Sequence, residues 1–139
     1  MKKHKGQSVV EFALVLPLFL FIMFGVIYTG MLFHDYATLS NIARTSAREA
    51  AVISGNEGYS NIENHYEPHL KALMTKLYKA ADGRPIVIEP VRPGSDNEGV
   101  RSTIIMQLDD GGFFLDMILP KMFGVTYYMK KEPYTNSST

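Results

Sequence analysis

The sequence predicts an α+β chain: a long N-terminal transmembrane helix, a second helix, and a small, mostly antiparallel three-stranded sheet. Three observations predict it. Residues 12–33 carry no charge over 22 positions. Beyond them, apolar residues recur at helical spacing through two further segments. Past Gly83 the period changes to simple alternation, the signature of half-buried strands.

The apolar run comes first. At a rise of about 1.5 Å per residue it spans roughly 33 Å, enough for a hydrocarbon core of about 30 Å. It is rich in Leu, Phe, Ile, Val and Met. A domain of this size has little capacity to enclose such a helix all round, so a membrane is its natural solvent. Lys2, Lys3 and Lys5 precede it and hold the N-terminus in the cytoplasm, with the C-terminal domain outside. A secretory signal peptide has a similar layout. Its apolar region is shorter, however, and no A-x-A-like site follows this run, which reads Gly25-Val-Ile-Tyr-Thr-Gly30-Met-Leu-Phe. Pro17 removes one backbone hydrogen bond inside the helix and is expected to kink it. Gly25 and Gly30 permit close helix approach without the G-x-x-x-G spacing. Glu11, just before the run, reads on physical grounds as an interfacial residue that snorkels to the headgroups.

The helix is expected to continue through residues 32–53, which contain no Pro or Gly. Tyr36, Leu39, Ala43, Ala50 and Ile53 form its apolar stripe, with Asp35, Arg44, Arg48 and Glu49 on other faces. Ala43, Ala47, Ala50 and Ala51 make a narrow seam, suited either to the chain's own domain or to neighbouring subunits. Gly55-Asn-Glu-Gly58 ends the helix as a glycine cap. Ser60 and Glu63 have the spacing of a capping box. They open a second helix whose stripe is Leu70, Leu73, Met74, Leu77 and Tyr78, stopped by Asp82-Gly83. Pro68 kinks this helix or marks its first turn. His65 and His69 lie four apart beside Glu63 and Glu67. A metal needs at least three convergent ligands, and Pro68 disturbs the face, so the group reads as a solvated helix start.

Residues 85–91 and 100–108 then pair as an antiparallel hairpin across a Pro/Gly/Ser/Asn loop. In the second strand Val100, Ser102, Ile104, Met106 and Leu108 share one face. Asp109-Asp-Gly-Gly112 breaks it. Phe113-Phe114-Leu115 with Met117, Ile118 and Leu119 reads as a plug over one sheet face, the alternative being a surface that docks on a partner or dips toward the membrane. Val125, Tyr127 and Met129 mark a third strand, and residues 133–139 a disordered tail.

Composition excludes several functions. The chain has 139 residues, a formal net charge of zero and no cysteine, hence no disulfide or thiolate zinc site. Without the three lysines of the first six residues, 11 basic side chains face 14 acidic ones, a net of about −3. No basic stripe is present for nucleic acid. No G-x-S-x-G, Walker loop or H-E-x-x-H occurs, and Asp109-Asp110 sits in a turn. The chain therefore reads as a non-enzyme with no cofactor, metal or small-molecule substrate.

One stretch carries a resemblance: Lys5-Gly6-Gln7-Ser8-Val9-Val10-Glu11-Phe12-Ala13-Leu14-Val15-Leu16-Pro17. A short basic leader ending in Gly, then an apolar helix with Glu at its fifth position, resembles a type IV pilin-like precursor. The run is most similar to the TadE-like pseudopilins of the tight-adherence (Flp) pilus system. Asn41-Ile-Ala-Arg-Thr-Ser-Ala-Arg-Glu-Ala-Ala51 and the late Tyr-Tyr-Met-Lys-Lys-Glu132 add to it. The resemblance implies a pilin-like fold and cleavage between Gly6 and Gln7 by a membrane prepilin peptidase. It implies that Glu11 pairs with the N-terminal ammonium of a neighbouring subunit. It also implies partnership with other pilins or pseudopilins, as a minor subunit in the cytoplasmic membrane or the pilus. The parts would be a leader (1–6), a transmembrane and extended helix (7–54), an extracytoplasmic α+β domain (55–132) and the tail (133–139). The alternative class is a single-pass, membrane-anchored binding or sensor domain, or a hydrolase, none of which needs both Gly6 and Glu11.

Overall fold

The computed structural model describes residues 4–53, 56–93, 98–109 and 112–131. The expected glycine cap at Gly55 and the tail lie outside these residues. In chain order the elements are α1 (His4–Val52), α2 (Asn56–Leu73), β1 (Tyr78–Ala80), a 3-10 turn (Ala81–Gly83), β2 (Ile86–Val91), β3 (Gly99–Leu108), α3 (Gly112–Ile118) and β4 (Met122–Lys130). The α+β class holds, with a long apolar N-terminal helix, a second helix and an antiparallel sheet. The chain divides into two compact units, Met1–Phe33 and His34–Thr139.

The first unit is helical throughout its described residues and carries Pro17 inside α1. Proline has no N–H, so the carbonyl of Ala13 loses its helical donor there. The most apolar window of the helix has a mean hydropathy of 2.6, and none of it is buried. Phe12, Leu14, Leu18, Phe19, Val26 and Phe33 all stand exposed. A helix apolar on every side fits a single-pass membrane anchor.

The second unit is a sheet covered on one face. β3 is its centre and every pairing is antiparallel. β1 pairs with Met106–Leu108 and β2 with Gly99–Ile104, while β4 pairs with Gly99–Gln107. So β1 and β2 share one edge of β3 and β4 takes the other. The alternation expected for β3 is present: Val100, Ser102, Ile104, Met106 and Leu108 are all buried. Residues 34–52 of α1 contribute the facing stripe of Leu39, Ile42, Ala43, Ser46, Ala47 and Ala50. At spacings of three and four these fall on one side of a helix. α2 adds Tyr59, Ile62 and Leu70. A Cβ at Gly99 would meet the ring of Tyr128, which lies over it and is half-exposed, so a side chain there would have to push that ring aside.

Three expectations about elements are corrected. The sheet has four strands, not three. Leu77 and Tyr78 do not extend α2, which ends at Leu73. Tyr78 instead opens β1 opposite Leu108. Its ring meets Phe123 edge-on at 4.5 Å and its hydroxyl donates to the Pro120 carbonyl at 3.0 Å. Burying the ring with its hydroxyl satisfied outweighs one more helical turn. Finally, α2 starts at Asn56, so Ser60 and Glu63 lie inside it rather than capping it.

Candidate functional site

In the first unit the residues of interest lie within two turns of helix. Gly6, Gln7 and Glu11 are all in α1 and all exposed. Gln7 Nε2 donates to Glu11 Oε1 at 3.3 Å, one turn away. A side chain added at Gly6 would meet nothing within 4 Å. The fold of this chain therefore does not require glycine there, and a glycine inside a helix costs about 0.5–1 kcal/mol relative to alanine. The same openness holds at Gly25 and Gly30. Thr29 Oγ1 returns its proton to the Gly25 carbonyl at 2.7 Å, which lets a hydroxyl sit in an apolar span.

The second unit has a polar set that the sequence did not reveal. Asp35 was expected off the packed face, yet its side chain is fully buried. It stands four residues before Leu39 and so continues the same stripe. Its carboxylate accepts the Thr75 amide at 2.8 Å and the Thr75 hydroxyl at 2.5 Å. These two bonds offset the cost of burying a charge. His34 Nδ1 lies 3.5 Å from Oδ1. Farther along α1, Ser46 Oγ and Ser102 Oγ meet at 2.8 Å with no exposure on either side. Ser46 also bonds the Ala43 carbonyl. Side chains so short meet only where the helix and β3 approach closely. Glu63 Oε1 accepts the Ile88 amide at 2.8 Å, which ties α2 to the β2 edge. No local signal marks these pairs, whose members lie 25 to 56 residues apart.

The alanine seam belongs to this packing. Ala43, Ala47 and Ala50 have no exposure and Ala51 is half-buried, so within the unit the seam serves the chain's own domain. His65 and His69 have ring centroids 5.2 Å apart. Among the described residues no three His, Cys, Asp or Glu side chains gather in a way that could hold a metal ion. Asp109 accepts an ion pair from Lys79 at 2.7 Å, and Asp110 lies outside the described residues.

Comparison with known proteins picks out the segment that carries Gly6, Gln7 and Glu11. Residues 6–48 match the TadE-like protein family. No curated protein and no solved structure matches the chain. The match begins at Gly6, takes in the whole apolar run and ends within the small-residue stretch of α1. By this N-terminal segment the chain is similar to TadE-like proteins.

Proposed function

We propose that this chain is a minor pilin-like subunit that joins other pilins or pseudopilins of a Tad/Flp-type pilus. A prepilin peptidase cuts between Gly6 and Gln7, and the freed ammonium of Gln7 becomes the mature N-terminus. Glu11 pairs with that ammonium on a neighbouring subunit and sets the axial register between helices. The observation that carries this reading is the match of residues 6–48 to the TadE-like family, which begins on a glycine that the chain's own packing does not need. A further support is the apolar surface of residues 12–33, whose most apolar stretch is not buried among the described residues. Lysines 2, 3 and 5 favour an N-terminus in the cytoplasm and a domain outside the cytoplasmic membrane.

Two lone charges at the membrane edge gain by neutralising each other, and removing one strands the other at a cost of several kcal/mol. Glu11→Ala therefore separates assembly from folding. The variant should reach the membrane at wild-type level, because it loses a polar group from an apolar setting. Surface pili should be lost. Normal pili with Glu11→Ala would remove the pairing: Glu11 would then be only an interfacial residue, or the minor subunit would join the pilus by other contacts.

A further inference from the structure

The apolar run closes at Phe33 and the chain enters the second unit at His34. Hydrogen bonds within that unit identify which of its ends this is. Asp35 holds the backbone amide of Thr75. Two residues on, the Leu77 carbonyl accepts the Asp109 amide at 3.0 Å. Tyr78 donates its hydroxyl to the Pro120 carbonyl, and the Leu108 amide bonds the Lys121 carbonyl at 2.8 Å. Asp109 and Pro120 bracket α3, so α3 lies at the end of the unit where the chain enters. Ser46, one helical segment later, has already reached Ser102 in mid-strand.

α3 is fixed to this end and turned outward. Leu119 is buried behind it and Gly112 starts it at φ 69°, a backbone that glycine adopts without strain. Phe113 is 88% exposed and Met117, four residues on and thus on the same side, is 67% exposed. Met122, just past it, is also exposed, with Lys121 beside it and Asp116 on α3 itself both in solvent. An outward Phe and Met with an exposed Met and lysine just past them have the chemistry of a side-on contact with a bilayer interface, apolar groups inward and charged groups at the headgroups.

We propose that Phe113 and Met117 insert into the headgroup–acyl boundary of the bilayer that holds α1. This rests on reading residues 12–33 as a membrane anchor. Covalent connection alone keeps His34 at the bilayer surface, whatever the angle between the units, and α3 shares that end of the domain. A second contact with the membrane limits how the tethered domain turns.

The chain has no cysteine, so single nitroxide labels are simple to place. The full chain is reconstituted in phosphatidylcholine vesicles with a label at Met117→Cys, at Leu20→Cys in the span, or at Asn61→Cys on exposed α2. The readout is the ratio of collision with oxygen to collision with a water-soluble nickel chelate. We expect the ratio at Met117→Cys to be several-fold above that at Asn61→Cys and below that at Leu20→Cys. Adding Phe113→Asp should return it to the Asn61→Cys value. A Met117→Cys ratio equal to that at Asn61→Cys, with Leu20→Cys still high, overturns the α3 contact and leaves the anchor intact. Low collision with both reagents at Met117→Cys means that a protein covers α3, which also overturns it. A water-like value at Leu20→Cys overturns the anchor and the proposal together.

Discussion

The buried carboxylate of Asp35 accepts both the amide and the hydroxyl of Thr75, across 40 residues of sequence. This pair ties the start of the second unit's share of α1 to the turn between α2 and β1. Asp35→Ala would leave two donors without an acceptor. Bonds to a charged group contribute about 1.5–3 kcal/mol each, so a loss of roughly 3–6 kcal/mol is expected for the two. Asp35→Asn keeps one acceptor oxygen and should lose less. Urea unfolding of the full chain in detergent, followed by circular dichroism, measures both. Equal stability of Asp35→Ala and wild type would contradict the assignment.

The hydroxyls of Ser46 and Ser102 form the second tie, between α1 and β3. Ser46→Ala leaves the Ser102 hydroxyl buried without this partner, at a cost of about 1–3 kcal/mol, whereas Ser102→Ala should cost less because Ser46 keeps its bond to the Ala43 carbonyl. The double variant removes both polar groups, so its loss should fall below the sum of the singles by about 1 kcal/mol or more. The same unfolding assay reads this coupling, and strictly additive losses would show that the two hydroxyls act independently.

Much of this packing was legible because it follows simple periods. Strict alternation placed Val100, Ser102, Ile104, Met106 and Leu108 on one face of β3, and all five are buried there. Leu39, Ala43 and Ala50 were legible from helical spacing in the same way. Asp35 was misplaced because a charge was read as a mark of solvent, although its spacing to Leu39 puts it on the stripe. Leu77 and Tyr78 matched the helical period after Leu73, and only pairing with Leu108, far along the chain, makes a strand of Tyr78. Glu63 has the spacing of a cap but serves the Ile88 amide, a partner that no local pattern names. At Gly6 and Glu11 the physics of the residues left a snorkelling glutamate, and the pilus reading came from resemblance to a family.

Alkaline pH should weaken the second unit. Burial first, and then the hydrogen bond to Glu49, raises the Tyr66 hydroxyl above its ordinary 10.0. Burial and the nearby Asp35 carboxylate raise Tyr78 in the same direction. The hydrogen bond to Glu98 raises Lys131 above its ordinary 10.5, with burial opposing. In each case the folded state holds a proton that the unfolded chain releases sooner. The stability these groups contribute is complete below the unfolded values and is lost as pH rises through the folded ones. The urea midpoint should therefore hold steady from about pH 7 to 9 and fall above about pH 10. Tyr78→Phe, which cannot ionise, should soften that fall. A midpoint that rises above pH 10 would contradict the account.

Processing at Gly6 is where the account of this chain as a pilus subunit meets its most direct test. The membrane form is purified from cells with an active prepilin peptidase, and its N-terminal peptide is identified by mass spectrometry. A processed pilus subunit should begin at Gln7. Gly6→Leu should yield an uncut chain still inserted in the membrane, since the apolar helix is untouched. A purified form that begins at Met1 in such cells would contradict a role as a processed pilus subunit.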